Sequence, residues 1–425
     1  SWAYGFAASN LVNGSQYTVS ARATDGVGNV EAPAVTSSFI YDTAAPGSAS
    51  VTAPADGSVY RSANVPTATG QAADGAGGTS PSGLAANSTT VTIRRNSDGA
   101  YWNGTDWQVA IDNLPTVHAA TTGTTATTWT RTSGLVPWAS QTDGTYTIQA
   151  KATDKAGNSG SGTAVTFTLD NTAPTVISIV RAAANPTNAA SVTYTVTFSE
   201  AMATMTTGAL SLTTTGSVSG ASVASVTGTG ATRTVTVNTG TGDGTIRLNL
   251  STLTGVTDSV GNTLASTYSA GQSYDLDRTN PAATIEFPAA VAYNTAGWNA
   301  GCSTTGLCGS ASDGSTWSDT GIARVQIAIQ NVTTNRHWSG SSWAVGITWL
   351  TATGTTSWAY GFAASNLVNG SQYTISARAT DGVGNVEAPA VTSSFIYDTT
   401  APTTASVTAP ANASTWRGAT VPTTT

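Results

Sequence analysis

Charge is scarce in this chain. Of its 425 residues only 9% are Asp, Glu, Lys or Arg, against about a quarter in an ordinary soluble domain. The 15 Lys and Arg form no basic patch; Arg94 and Arg95 are the nearest approach to one. Net charge is −7. These two facts speak against nucleic acid and anionic membrane surfaces as partners. Long apolar runs are missing too, so no segment reaches the ~18–20 residues of a membrane span. Histidine is nearly absent, with His118 and His337 alone, and no Ser/His/Asp grouping, HExxH or phosphate loop accompanies them. Catalysis finds no support. Glu200 or a pair of Asp would form a glycosidase-like site only by an accident of folding. Cysteine occurs twice, Cys302 and Cys308 in GCSTTGLCG. A local disulfide fits this spacing and an oxidising, extracellular setting; two free, half-buried thiols are the alternative. With no third or fourth soft ligand nearby, a metal site at the cysteines is not expected.

Thr, Ser, Ala and Gly fill the gap. Thr and Val suit a pleated, half-buried strand, while Gly and Asn suit turns. No Ala/Leu/Glu/Lys-rich stretch reads as a helix. Alternating runs recur instead: TVTIRR (90–95), YTIQAKATD (146–154), SVTYTVTF (191–198), TRTVTVN (232–238), ARVQIAIQN (323–331) and YTISARATD (373–381). Short alternating strands parted by Gly/Asn/Asp turns indicate an all-β chain of sandwiches.

The chain also repeats itself. Residues 1–69 and 357–425 align without a gap, with 58 identities in 69 positions and one difference, Val19 against Ile375, in the first 43. A repeat of 356 residues implies an array of domains. Punctuation of the form Asp followed by Pro divides it: DTAAP (42–46), DNTAP (170–174), DRTNP (277–281) and DTTAP (398–402). Proline fixes φ and biases its predecessor towards extended backbone, giving a short, stiff joint. The expected domains are 44–171, 172–278 and 279–399. Residues 1–43 read as the last part of a domain of the 279–399 type, and 400–425 as the first part of one of the 44–171 type. The sequence reads as a window on a longer array. With strands of about 10–12 residues rising ~3.3 Å each, one repeat is expected to span on the order of 110–130 Å.

A second motif recurs: ATDGVGN (23–29), ATDKAGN (152–158), VTDSVGN (256–262) and ATDGVGN (379–385). Short domains that carry TDxxGN, then a strand, then DxTAP resemble the bacterial Ig-like domains of giant surface proteins and adhesins. TVTFSEAM, GDGTIRLNL and VTDSVGN of the middle domain carry the resemblance most closely. The resemblance implies a linear string of Ig-like sandwiches, and it implies interdomain Ca2+. In such a sandwich the loop before the last strand and the loop between the second and third strands lie at the pole where the domain begins. The acids then group by joint. Asp42, Asp74, Asp154 and Asn158 fall at the first. Asp170, Asn171, Glu200, Asp258 and Asn262 fall at the second. Asp277, Asp313, Asp381 and Asn385 fall at the third. Asp25 and Asn29 would serve an upstream joint, and Asp398 starts the next one. Carboxylates gathered at one point repel unless compensated, and Ca2+, which accepts six to eight oxygen ligands, is the natural compensator. Turn chemistry is the competing account, since Asp-x-x-Gly makes a good hairpin loop unaided.

Two hairpins are flanked by tryptophan: YWNGTDW with Trp102 and Trp107, and HWSGSSW with Trp338 and Trp343. Cross-strand packing or contact with a neighbouring subunit is the first reading; stacking on a surface glycan is the second. The function expected is structural: an extracellular, cell-surface fibre, sheath or stalk that self-associates into a fibre or lateral bundle. The alternatives are the spacer of an adhesin whose binding module lies elsewhere, or glycan-binding modules.

Overall fold

The computed structural model describes residues 1–75, 80–315, 317, 320–406, 415, 417 and 418. Most of the 400–425 segment thus lies outside the described residues. Two compact units partition the chain. One comprises Ser1–Thr175, Ser199–Met205 and Leu253–Ser266; the other comprises Val176–Phe198, Thr206–Thr252 and Thr267–Thr425.

In the first unit, the small sheet orders Thr127–Thr130, Thr69–Ala73 and Ser48–Ala53. Opposite it, Gly144–Asp154 lies between Leu84–Arg95 and Val165–Leu169, all antiparallel. Val59–Tyr60 adds to Val165–Leu169 in parallel. The expected alternation is visible in Gly144–Asp154, where Tyr146, Ile148, Ala150 and Ala152 are buried and Thr147 and Gln149 less so. Their inward face meets Trp129 of the small sheet and Phe167 of the next strand. This unit also holds the hairpin Ser15–Ala21/Val35–Tyr41 and the pair Met202–Thr204/Thr257–Asp258.

The second unit holds a four-stranded sheet in the order Val176–Arg181, Ser191–Phe198, Thr232–Asn238, Ser222–Thr227, and a three-stranded sheet in the order Leu210–Thr214, Gly244–Leu250, Ser273–Leu276. Tyr194 ties them, donating its hydroxyl to Ile246 O at 2.6 Å. The same unit then repeats the first plan. Ser371–Asp381 lies between Ile322–Asn331 and Val391–Tyr397, and Ala292–Tyr293 adds in parallel. The facing sheet pairs Gly306–Ser312 with Ser357–Gly361. A one-turn helix, Thr295–Asn299, puts Trp298 into this core against Phe395. Cys302 and Cys308 form a disulfide beside it.

Candidate metal sites at the domain joints

TDxxGN folds as a closed loop each time. In the loop of 256–262, Asp258 Oδ1 accepts the N–H groups of Val260, Gly261 and Asn262 at 2.9, 2.7 and 2.8 Å. Asp381 does the same for Val383, Gly384 and Asn385. An aspartate that accepts its own loop's N–H groups replaces the turn's missing backbone partners, and glycine takes the positive φ, +95° at Gly261 and +96° at Gly384. Turn chemistry is therefore present.

The asparagine reaches further. Asn158 Nδ2 donates to Asp42 O at 3.1 Å, Asn262 Nδ2 to Asp170 O at 3.0 Å, and Asn385 Nδ2 to Asp277 O at 3.0 Å. Each same amide also donates to the loop aspartate. Both donors of the amide are thus used, one on the loop and one on the carbonyl of the Asp that opens the Asp-to-Pro segment. These asparagines staple the joint through nitrogen.

The carboxylates converge as the positional argument expected. Asp42, Asp74 and Asp154 form one group; Asp170, Glu200 and Asp258 a second; Asp277, Asp313 and Asp381 a third. Each residue offers one oxygen, and within a group these lie within 4.8 Å of one another. Asp42, Asp74, Asp154, Asp258, Asp277 and Asp381 are buried. Every group sits inside one of the two compact units. The one ion pair among the described residues is Arg95–Asp98, away from all three groups. At an effective dielectric of about 20, two carboxylates ~5 Å apart repel by roughly 3 kcal/mol.

Electrostatics register the crowding. Burial pushes Asp74 up, against a hydrogen bond from Gly83 N and with the charges of Asp42 and Asp154 adding to it. Burial likewise raises Asp170, with the charges of Asp258 and Asp143 adding to it, and Glu200, with those of Asp170, Asp258 and Asp143. Asp277 is pushed up to about 6, first by burial, with a Thr320 hydrogen bond opposing and Asp313, Asp381 and Asp243 reinforcing. Asp42 falls below its ordinary value: burial is the largest influence and acts upwards, but hydrogen bonds from Ser82 and Ala44 together outweigh it.

Residue chemistry fits a hard cation. Asp74 Oδ1 and Asp277 Oδ1 are buried and have no hydrogen-bond partner, whereas nearly all buried polar atoms are paired. Their sister oxygens are satisfied. Asp74 Oδ2 accepts from Gly83 N at 2.7 Å, and Asp277 Oδ2 from Thr320 Oγ1 at 3.0 Å. Each orphan oxygen belongs to a cluster of three acids, the donor set that Ca2+ takes.

Other expected residues lie elsewhere. Asn171 Oδ1 accepts from Ser62 N at 2.8 Å and its Nδ2 donates to Asp143 Oδ1 at 3.1 Å, so it braces the joint outside the acid group. Asp25 is bonded within its own loop to Val27 and Asn29, and those hydrogen bonds, the Asn29 side chain first, hold it below its ordinary value. Asp398 accepts from Thr400 N at 2.8 Å.

Four residues that brace these joints were not singled out for that role from the sequence. Asp143 accepts from Asn171 N and Thr172 Oγ1 at 2.8 and 2.6 Å. Asp243 accepts from Arg278 N at 2.6 Å and from Thr279 Oγ1. Asn369 Oδ1 accepts from Thr399 N and Asn13 Oδ1 from Thr43 N, both at 2.7 Å. All four residues precede a glycine: Asp143-Gly144, Asp243-Gly244, Asn369-Gly370 and Asn13-Gly14. This Asp/Asn-Gly dipeptide, at the start of the strand that leads towards TDxxGN, is the signal that could have found them. The loops closing the acid groups were missed as well: Ser82 and Gly83 at the first, Thr320 at the third.

The tryptophans point inward. Trp102 pairs across the ladder with Trp107 at 5.4 Å between rings, and Trp338 with Trp343 at 5.5 Å. Trp102 and Trp338 are buried, and Trp338 and Trp343 both pack on Phe362. Arg95 lies over the half-buried Trp107 ring at 4.8 Å. The buried rings of Trp102 and Trp338 thus have no open face to offer a sugar.

The sheets define the class: the chain is a tandem array of Ig-like β-sandwiches. The family model of the bacterial Ig-like domain, group 3, matches residues 137–237. That match runs from the closing strands of the first sandwich into the strand Thr232–Asn238. No curated protein matches the chain. Among solved structures, a tetra-tandem repeat from the extending region of a large adhesion protein is similar at 20% identity, over 91% of this chain and 81% of that one, with a TM-score of 0.26. A Ca2+-stabilized, ice-binding adhesin of an Antarctic bacterium is similar at 16% identity, over 90% and 81% of the two chains, with a TM-score of 0.29. A 1.5-MDa bacterial ice-binding adhesin is similar at 15% identity, over 80% and 94%, with a TM-score of 0.31.

Proposed function

We propose that this chain is a structural repeat region of an extracellular bacterial fibre, sheath or surface stalk, with domains at 44–171, 172–278 and 279–399, and that Ca2+ at the joints sets its stiffness. The observation that carries the reading is the recurrence of one arrangement. Three joints each gather three acids that form no ion pair among the described residues, and two of them leave a buried carboxylate oxygen unpartnered. Asp42, Asp74 and Asp154 would hold the first ion, Asp170, Glu200 and Asp258 the second, and Asp277, Asp313 and Asp381 the third. A bound ion neutralises the mutual repulsion and ties the terminal acid of one domain to two loops of the next. Asn158, Asn262 and Asn385 hold the same elements together by hydrogen bonds, so the joints are partly ordered before the ion arrives. A spacer within a surface adhesin uses the same mechanics, with the binding module elsewhere.

The test compares the full 425-residue chain in excess EGTA and in millimolar Ca2+, by thermal unfolding and small-angle scattering. A higher melting temperature with a longer, stiffer particle supports the reading. No change in either leaves the TDxxGN loops as turns, with the Pro joints and direct domain contacts setting the stiffness.

A further inference from the structure

The three acid groups share a plan but not an environment. Asp42, Asp74 and Asp154 are all buried, at 7%, 0% and 4% exposure. At the third joint Asp277 and Asp381 are buried beside a half-buried Asp313. At the second joint Asp258 alone of its group is buried, and Asp170 and Glu200 are half-buried. The unpartnered oxygens follow the same order. Asp74 Oδ1 at the first joint and Asp277 Oδ1 at the third are buried without a hydrogen-bond partner, and among the described residues no oxygen of the second group is left in that state. A resident cation sharpens the contrast. Arg61 donates Nη1 to Gly261 O at 3.1 Å, within the loop that carries Asp258. Next to it, Ser62 N donates to Asn171 Oδ1 at 2.8 Å, so the second joint is braced without an ion. At the third joint Arg278 is turned instead onto Ala189, Gly240 and Thr239. A fourth acid does not separate these two joints, because Asp143 adds its charge at the second as Asp243 does at the third.

We infer that the second joint is the last of the three to take up a cation, so that the joints fill in two steps as Ca2+ rises. This rests on the joint-ion reading of the proposed function. The attraction of a cation to a carboxylate scales inversely with the effective dielectric, which is lowest where water is excluded. An ion entering the first or third site also supplies the partner that a buried oxygen lacks, and an unpartnered buried polar group is costly. At the second site the ion gains less, because it displaces water that already solvates the half-buried Asp170 and Glu200. The guanidinium fixed on the Gly261 carbonyl repels it further. Oxygen-ligand sites of one plan differ in Kd by orders of magnitude with ligand charge and site rigidity, so these differences suffice to part the thresholds. Between the two thresholds each 356-residue repeat holds two filled joints and one that only Arg61, Asn171 and Asn262 brace.

The experiment titrates the full chain with EGTA-buffered Ca2+ and reads hydrogen exchange at the amides of Gly83, Gly261 and Gly384, which donate to Asp74, Asp258 and Asp381. Half-maximal protection at Gly261 is expected at ~10-fold or higher free Ca2+ than at the other two. Glu200→Gln changes a half-buried residue of the second group, so the chain still folds. It should remove the Gly261 response and leave the Gly83 and Gly384 midpoints where they were. A common midpoint for the three amides, or a lower one at Gly261, overturns the inference and leaves the joint-ion reading standing. A Gly261 response that survives Glu200→Gln overturns the assignment of the late step to this site. No response at any of the three amides overturns the joint-ion reading itself, and the inference with it.

Discussion

Replacing Asp277 by Asn should stabilise the metal-free chain and remove a metal response. Asp277 is fully buried, leaves one oxygen unpartnered and faces Asp313 and Asp381. Its pKa rises from 3.8 to about 6. A carboxyl with a raised folded pKa binds its proton more tightly in the folded state. Its stabilising contribution is complete below the unfolded value, near 4, and is lost as pH rises through about 6. A shift of about 2 units at ~1.4 kcal/mol each amounts to roughly 3 kcal/mol of instability above pH 7 in the absence of metal. Asn cannot ionise, and its amide can donate to the neighbouring carboxylates. In EGTA at pH 8, Asp277→Asn should therefore gain up to about 3 kcal/mol, shrinking to nothing near pH 4. Ca2+ should reverse the order. The native triad gains about 4.1 kcal/mol at a thousandfold excess over Kd, more than the roughly 3 kcal/mol it concedes in EGTA, and the variant gains far less. An array need not unfold in one step, so the joint is best read locally, by hydrogen exchange at the amides of Thr320, Val383 and Gly384, which donate to this group. Wild type more protected than Asp277→Asn in EGTA at pH 8, or equal Ca2+ protection in both, would refute the reasoning.

Removing the staple in Asn262→Ala deletes donors to Asp170 O and Asp258 Oδ2; about 1–3 kcal/mol should be lost, seen as faster proteolysis at 170–175. Reducing Cys302–Cys308, which closes a loop of sequence separation 6, should cost roughly 2 kcal/mol in the loop-entropy account, measured as a lower melting temperature confined to the 279–399 domain. Trp338→Ala opens a cavity beside Trp343 and Phe362, and should cost about 3–5 kcal/mol by urea unfolding.

The strand pattern was legible because burial alternates with period two, as Ser191–Phe198 shows residue by residue. The acid groups were legible for a different reason. A recurring loop motif and a recurring terminal Asp, set on an Ig-like plan, fix which ends of which strands meet. What the sequence could not separate was the role of each atom within the motif. Asp258 Oδ1 serves the turn while the whole residue joins a triad, so turn chemistry and ion binding coexist. The amide orientation of Asn158, towards a carbonyl, is decided by a contact 116 residues away. Asp143 escaped notice because an Asp-Gly dipeptide reads as an ordinary turn until the strand behind it is placed. The helix Thr295–Asn299 escaped for want of length: one turn capped by Asn294 leaves no periodicity to read.

The scarcity of charge and its placement belong to one argument. A sandwich surface built from Thr and Ser needs few ions to stay folded, and isolated surface ion pairs contribute little. Carboxylates placed along the strands would add nothing to the fold. Under the proposed function, carboxylates at the joints act differently: their repulsion would oppose the ordering of the joint until a cation is present. Asp74 and Asp277 sharpen the contrast: each is fully buried, and each holds one oxygen that the protein does not satisfy. An uncompensated buried group is destabilising on its own terms, and it is tolerable where a ligand supplies the missing partner. On this account the charge-poor body supplies length, and the few acids make its stiffness conditional on the medium. Neutralising one joint should then loosen that joint alone. Asp74→Asn should abolish the Ca2+ response of exchange at Gly83, which donates to Asp74, and leave that at Gly384 unchanged. Equal loss at both would mean that the joints do not act independently, and the joint-by-joint account would fail.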